Sequence, residues 1–181
     1  MVDFVACVPA WPRDAPGCVG RGIGHLVGEV RFEPAAIVGA IDGVALQEHL
    51  EPERIGELIE LYGHTWWAAH RDAAGVEQML AGTDLVLALI DRAADRLVGF
   101  ARVLTDWRYR AYVYDVIVAP EWRDQGLGRT LVDALVSHPR LAAVETIELS
   151  CQPEMVPFYR RWGFRDDLGG SLLMRRSRGG S

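Results

Sequence analysis

The chain has no lysine and no asparagine among its 181 residues, and all 19 of its basic side chains are arginines. The absence of lysine excludes both the phosphate-binding lysine of a P-loop and Schiff-base chemistry on a lysine. The absence of asparagine excludes any site that depends on its side-chain amide. We expect this bias to reflect a GC-rich coding sequence more than chemistry.

Cysteine is also scarce, since Cys7, Cys18 and Cys151 are the only three and show no C-x-x-C spacing. An odd count without paired spacing fits reduced thiols better than a disulfide framework or a structural zinc site. A chain of this length buries about 70% of the surface that it exposes when unfolded, so folding needs neither a disulfide nor a metal. The sequence therefore predicts no metal site.

Long apolar runs are absent too, because no stretch reaches the eighteen or so apolar residues that a membrane span needs. Asp3 stands where a secretory signal would carry a basic residue. The formal net charge of −6 argues against nucleic acid as a partner, since binding to phosphates needs a basic face. We therefore expect a cytoplasmic protein with neither a membrane nor a nucleic acid as partner.

The residues that are present divide the chain into an irregular beginning and a regular remainder. Residues 1–42 are rich in glycine and proline without a sustained apolar period, and we expect them to form an N-terminal extension. Residues 43–176 carry sustained periodicity and are predicted to form one domain. Residues 177–181 are expected to be a frayed tail.

The apolar patterns of this domain predict strands and helices in one α/β fold built around a single sheet. The predicted strands cover residues 44–50, 85–90, 97–104, 111–118, 144–149 and 171–175, and the predicted helices begin at Pro52 or cover residues 76–80, 126–136 and 153–162. The polar turn at residues 91–95 predicts that the second and third strands pair as an antiparallel hairpin.

The stretch from Val116 to Arg129 places a glycine-bearing helix start directly after an apolar strand. Unpaired N–H groups at a helix N-terminus carry the positive end of the helix dipole, and Gly126 and Gly128 allow close approach of the backbone. Arg123 and Arg129 add positive charge. The pattern predicts a pyrophosphate-binding site, and the alternative is a turn in which glycine only relieves crowding.

Two motifs in this order resemble those of the GCN5-related N-acetyltransferases, the GNAT family. Arg123, Gly126 and Gly128 match the R-x-x-G-x-G loop that binds acyl-CoA, and residues 158–164 match the F-Y-x-x-x-G-F signature of a later helix. The resemblance covers roughly residues 44–174. It implies an α/β fold of the α+β type, whose mixed, mostly antiparallel sheet splays between its fourth and fifth strands and carries helices on both faces.

The resemblance also implies an N-acetyltransferase that moves an acetyl group from acetyl-CoA to a primary amine by direct attack in a ternary complex. The pantetheine arm would then bind the backbone of Val116, Ile117 and Val118, and Gln152 stands where the family often has a pantetheine-binding asparagine. The residues expected to bind the pyrophosphate are Arg123, Asp124, Gln125, Gly126, Leu127, Gly128, Arg129 and Thr130. Asp124 replaces a glycine of the family loop, so we expect its carboxylate to point away from the phosphates and to cap the helix.

Tyr159 matches the tyrosine that commonly protonates the departing CoA thiolate in this family, and the alternative is a tyrosine that only packs in an amphipathic helix. Asp115 is the first candidate for the base that receives the amine proton, because a carboxylate in an apolar strand is costly to bury without a function or a partner. The alternative for Asp115 is an ion pair with Arg102. Glu148 is a second candidate base, and an acyl-enzyme on Cys151 is a minor possibility.

His64, Trp66 and Trp67 follow the first helix, where the family usually builds its acceptor pocket. Tryptophan rings hold cations on their faces, although such clusters more often belong to a core. The acceptor is expected to be a small-molecule amine or a peptide amine, and a homodimer is left open. Two alternatives remain at this point, a non-catalytic module that binds acyl-CoA and an acetyltransferase directed at proteins or peptides.

Overall fold

The structure, a computed structural model, describes residues 41–170 and 172–176. Nearly all of the predicted extension and the predicted tail therefore lie outside the described residues. The described part forms β1 Val44–Gln47, α1 Ile55–Gly63, α2 Ala73–Ala81, β2 Leu85–Asp91, β3 Arg96–Thr105, β4 Arg110–Val118, α3 Leu127–Val136, β5 Thr146–Leu149 and α4 Val156–Tyr159. No helix in this part of the chain is long and apolar enough to cross a membrane.

The five strands form one open sheet in the order β1-β2-β3-β4-β5. Neighbouring strands from β1 to β4 are antiparallel, and β5 lies parallel to β4. The parallel pairing ends at Val113 and Leu149, whereas β4 continues to Val118. The structure thus confirms a mixed sheet that splays between its fourth and fifth strands.

A β-bulge interrupts β4 shortly after it leaves β5. Asp115 and Val116 together face a single residue of β3, Ala101. Asp115 has a φ of +56°, in the left-handed region that aspartate enters more readily than most residues. Because the bulge adds one residue to β4, it changes which side chains lie on each face and brings Asp115 next to Arg102 of β3.

Helices cover both faces of the sheet, as expected. Tyr62 of α1 packs edge-on against Phe100, with 6.4 Å between the ring centroids. Gly128 of α3 lies against Val118, which pairs with Gly99, the neighbour of Phe100. Since successive side chains of a strand point to opposite faces, α1 and α3 pack on opposite sides.

Three predicted elements differ from the structure. β1 ends at Gln47 and does not reach residue 50. The predicted helix 153–162 is divided into a 3-10 turn, the single turn of α4 and a second 3-10 turn. Pro157 explains part of this break, because proline has no N–H to continue the helical hydrogen bonds. The predicted strand 171–175 is wrong for residues 172–175, which are irregular, and Ser171 lies outside the described residues.

The packing of α3 provides a test of the fold. Leu131 is fully buried between α3 and the sheet, so Leu131→Ala should lower the free energy of unfolding by about 2–5 kcal/mol. The matched control Leu168→Ala removes a half-exposed side chain and should change it by less than about 0.5 kcal/mol. Urea titration followed by circular dichroism measures both values, and equal losses would contradict this packing.

Candidate active site

The end of β4 offers backbone groups that no neighbouring strand uses. Because β5 pairs with β4 only as far as Val113, the described part of the chain provides no strand partner on that side for residues 114–118. Ile117 is buried, while Val116 and Val118 are half-buried. An extended ligand that carries amide groups can form main-chain hydrogen bonds to such an edge.

The start of α3 lies just beyond this edge. Gly126 is its N-cap residue, with a φ of +90°, and no side chain caps the helix. The expectation that Asp124 caps α3 is therefore wrong, since Asp124 lies two residues before the N-cap position with its own φ at +60°. The first N–H groups of α3 have no acceptor within the helix, so this end attracts anions.

Two exposed arginines flank the helix start, as the sequence predicts. Arg123 lies in the preceding loop, and its Nε donates to the carbonyl oxygen of Val118 at 3.3 Å. Arg129 lies in the first turn of α3, with its Nε 3.4 Å from Oδ2 of Asp133. Both guanidinium groups thus add positive charge next to the free N–H groups of the helix.

The other residues predicted to bind pyrophosphate contact the protein's own backbone. Nε2 of Gln125 donates to the carbonyl oxygen of Glu121 at 2.7 Å. Thr130 is buried, and its hydroxyl lies 3.4 Å from the carbonyl oxygen of Gly126. Leu127 is fully buried in the core. Phosphate contacts from this segment would therefore come from its backbone and its arginines.

Tyr159 is 8% exposed and packs edge-on between two phenylalanines. The ring centroids of Phe158 and Phe164 lie 5.0 and 6.0 Å away. Burial, and to a smaller extent the nearby Cys151, raises the pKa of Tyr159 to about 12. The phenol therefore keeps its proton at neutral pH, which an acid that protonates a leaving group requires.

Asp115 lies at the centre of a buried hydrogen-bond cluster. Its side chain is 3% exposed, and Oδ2 accepts hydrogen bonds from Nε of Arg102 at 2.6 Å and from the hydroxyl of Tyr62 at 2.9 Å. Arg71 donates from both terminal nitrogens, at 2.9 Å to Oδ2 and 3.3 Å to Oδ1. The ion pair with Arg102, the alternative interpretation from the sequence, is thus present in the structure.

These contacts determine how the cluster ionises. Burial alone would raise the pKa of Asp115, but the hydrogen bonds and charges of Arg71 and Arg102 outweigh burial and lower it. Burial and the negative charge of Asp115 raise the pKa of Tyr62. At neutral pH the cluster therefore holds one carboxylate and two guanidinium groups. The role of Asp115 as a base stays a prediction, and its oxygens already accept four hydrogen bonds.

The predicted aromatic cluster after α1 is divided between the core and the surface. Trp67 is half-buried and packs edge-on against Tyr62, with 6.3 Å between the ring centroids. Trp66 is 80% exposed. When the amide oxygen of Gln152 is turned towards the indole, it lies 2.5 Å from Nε1 of Trp66. His64 is exposed at the C-cap of α1. The structure therefore brings together Trp66 and Gln152, which were predicted to contact different ligands.

Glu148, the second candidate base, and Cys151, the candidate nucleophile, lie outside the hydrogen-bond cluster of Asp115. Glu148 is paired with Arg110 at 3.0 Å on the surface. Burial, followed by the negative charges of Glu154 and Asp166, raises the pKa of Cys151. A raised pKa keeps the thiol protonated, whereas a nucleophilic cysteine needs a lowered one.

Arg71 and Tyr62 are the residues of this site that sequence reasoning missed. They lie 44 and 53 positions before Asp115, Arg71 in the loop after α1 and Tyr62 within α1, and neither was predicted to contact Asp115. Asp115 is the sequence feature that could have indicated them, because a carboxylate in an apolar strand needs a partner. It does not indicate which partner.

Comparisons with known proteins agree with this architecture. Residues 44–164 match the model of the acetyltransferase (GNAT) family. The uncharacterized N-acetyltransferase ycf52 of Porphyra purpurea is 33% identical over 116 residues, which are 63% of this chain and 66% of that protein. The chloroplastic serotonin N-acetyltransferase 2 of Oryza sativa subsp. japonica is 41% identical over 75 residues, which are 41% of this chain and 38% of that protein.

The match therefore spans less than two thirds of the length of these curated relatives. Since one of them is named as chloroplastic, the cytoplasmic location of this chain stays a prediction. A solved structure of a GNAT-family protein from Xanthomonas campestris superposes with a TM-score of 0.66 and 30% identity, covering 77% of this chain and 96% of that chain. With a family match over most of its length, a splayed sheet and the acyl-CoA loop motif, this chain belongs to the GNAT family of acetyltransferases.

Proposed function

We propose that this protein is an N-acetyltransferase that transfers an acetyl group from acetyl-CoA to a primary amine in a ternary complex. The observation that carries the proposal is the separation of β4 from β5 after Val113, together with the uncapped start of α3 that comes after the end of β4. The first feature offers backbone groups to an extended arm, and the second offers N–H groups to phosphates. Acetyl-CoA combines these two chemical groups in one molecule.

The acyl donor would bind along both features. The pantetheine arm lies beside residues 116–118, and Gln152 follows the end of β5 on the other strand of the gap. The pyrophosphate lies on the N–H groups at residues 126–129, with Arg123 and Arg129 next to it. Asp124 is exposed and turned into a left-handed conformation, so its carboxylate can remain in solvent.

The reaction needs one nucleophile, one acid and one proton acceptor. The neutral amine attacks the thioester carbonyl carbon, the carbon–sulfur bond breaks, and the sulfur leaves as a thiolate. Tyr159 donates its phenolic proton to that thiolate and then regains a proton from solvent, and the amine loses one proton, so the products are an amide and free CoA. Either Asp115 or ordered water receives the amine proton.

The acceptor is proposed only as a class, a small-molecule amine or a peptide amine. A relative named as a serotonin N-acetyltransferase supports a small aromatic amine, and the exposed indole of Trp66 next to Gln152 agrees with this choice. A panel of amines and peptides assayed by release of free thiol separates small-molecule from peptide acceptors. If acetyl-CoA binds but no amine releases thiol, the protein is a non-catalytic acyl-CoA-binding module.

Binding of acetyl-CoA tests the donor site. Isothermal titration should give a micromolar Kd, and Arg123→Gln or Arg129→Gln should each raise it by about threefold to tenfold, because each removes one cation next to the phosphates. Arg108→Gln is the matched control, since Arg108 is an exposed arginine at the other end of β4. No measurable binding at 1 mM acetyl-CoA, a concentration of about a thousand times a micromolar Kd, would contradict the proposal.

The role of Tyr159 is tested by Tyr159→Phe, which keeps the ring contacts and removes the hydroxyl. We expect kcat to fall by about 100-fold while the Kd of acetyl-CoA changes less than twofold, as for loss of a general acid. Because the pKa of Tyr159 is raised to about 12, its ionisation should not lower the wild-type rate between about pH 7 and pH 10. The control Tyr109→Phe alters an exposed tyrosine. A large rise in Kd with an unchanged kcat would instead assign Tyr159 to binding.

A further inference from the structure

The α1–α2 loop, residues 64–72, contacts both sides of the gap between β4 and β5. On one side, Arg71 binds Asp115 in the bulge of β4. On the other side, the Gln152 side chain follows β5, and its amide oxygen, when turned towards the indole, lies 2.5 Å from Nε1 of Trp66. A loop that is held at both of these points passes across the gap where the acyl group is proposed to lie.

Arg71 is held in place by contacts with four residues. Its two terminal nitrogens form a bidentate pair with the Asp115 carboxylate, and Nη1 also lies 3.5 Å from the sulfur of Met79. Its guanidinium carbon lies 4.4 Å from the ring centroid of Tyr62 and 5.5 Å from that of Trp67. Bidentate and stacked arginines give fixed geometry, so Arg71 fixes the position of the loop that carries it.

The sheet fixes Asp115 independently of this loop. Nε of Arg102, on the neighbouring strand, donates to Asp115 at 2.6 Å, and the bulge sets its backbone. The Arg102 side chain is 9% exposed, and its guanidinium carbon lies 4.5 Å from the ring centroid of Tyr114. Arg71 is more accessible, at 26% exposed. The cluster therefore consists of a rigid half in the sheet and a loop residue that attaches to it.

We propose that Arg71 is a positioning residue that, through Asp115, holds the α1–α2 loop across the gap as the wall on which the acceptor amine binds. The inference rests on the proposed function and adds to it a residue outside the family motifs. Asp115 then acts as the anchor of the loop, with its oxygens committed to hydrogen bonds, and the amine proton passes to water. Acceptor binding depends on Arg71, while donor binding on the opposite helix does not.

Arg71→Met is the main variant, because methionine keeps an apolar chain beside Tyr62 and Trp67 and removes the bidentate pair. Asp115 keeps Arg102 as its partner in this variant. The KM of the acceptor should rise by about tenfold, with kcat lowered less than threefold and the Kd of acetyl-CoA changed less than twofold. Arg71→Lys, which keeps the charge without the fork, should recover part of the loss. Arg96→Met, which removes an exposed ion pair with Glu60, is the matched control.

Hydrogen exchange gives a second measurement that needs no acceptor. In Arg71→Met, the amides of residues 64–72 should exchange about tenfold faster than in the wild type, while those of α3 stay unchanged. Unchanged exchange together with an unchanged acceptor KM would overturn the inference. Absence of thiol release by the wild type with every amine would instead contradict the proposed function. The exchange of residues 64–72 would still show whether Arg71 holds this loop in place.

The variant Asp115→Asn distinguishes two roles of Asp115, that of an anchor for the loop and that of a catalytic base. As an anchor, it should reproduce the raised acceptor KM and the faster exchange of residues 64–72, and the double variant with Arg71→Met should lose little more than either single variant. If Asp115 is a base, its replacement should lower kcat by about 100-fold and leave the exchange of residues 64–72 unchanged. That second outcome overturns the anchor role. If Asp115→Asn does not fold, the comparison of Arg71→Met with Arg71→Lys decides.

Discussion

The buried carboxylate of Asp115 needs hydrogen-bond donors, and several parts of the structure supply them. An unpaired charge in a protein interior costs several kcal/mol, so a fold that buries one must supply donors from all sides. Here the donors come from α1, from the loop that follows it and from β3. One side chain thus ties three separate segments of the chain to β4, at the point where β4 bulges and has already left β5.

The separation of the two parallel strands gives the site its shape. β4 has nine residues and only four of them pair with β5, so the second half of β4 retains backbone groups on one side. The same half leads directly into the loop before α3, which brings an uncapped helix start close to that edge. Edge and helix start therefore follow one another along the chain, and a ligand with an amide-containing arm and a pyrophosphate fits both.

Packing and chemistry need not be alternatives for Tyr159. The neighbouring rings contribute to the burial of this tyrosine, and burial is the main reason that the pKa of its phenol is raised to about 12. A side chain that belongs to the hydrophobic packing of α4 is in this way kept in the protonated form. Cys151, close by, also has a raised pKa, which argues against attack by its thiol.

The sequence by itself determined the features that depend on local pattern. Strands β2 to β4 and helix α3 have strong apolar periodicity, and the glycine-bearing loop before α3 and the motif around Tyr159 indicated the family. Where several weak local preferences compete, as in residues 153–162, the predicted continuous helix was divided. The cap expected from Asp124 also failed, because the backbone of the loop turns before that residue can reach the helix start.

Only the tertiary structure decided which distant residues meet. The partners of Asp115 are brought to it by the packing of α1 on the sheet, and the contact between Trp66 and Gln152 joins segments 86 positions apart. Such contacts leave no periodic trace in a single sequence, because an arginine that pairs with a buried carboxylate looks the same as one on the surface. The cost of a buried charge predicts that partners exist, and the three-dimensional path of the chain selects them.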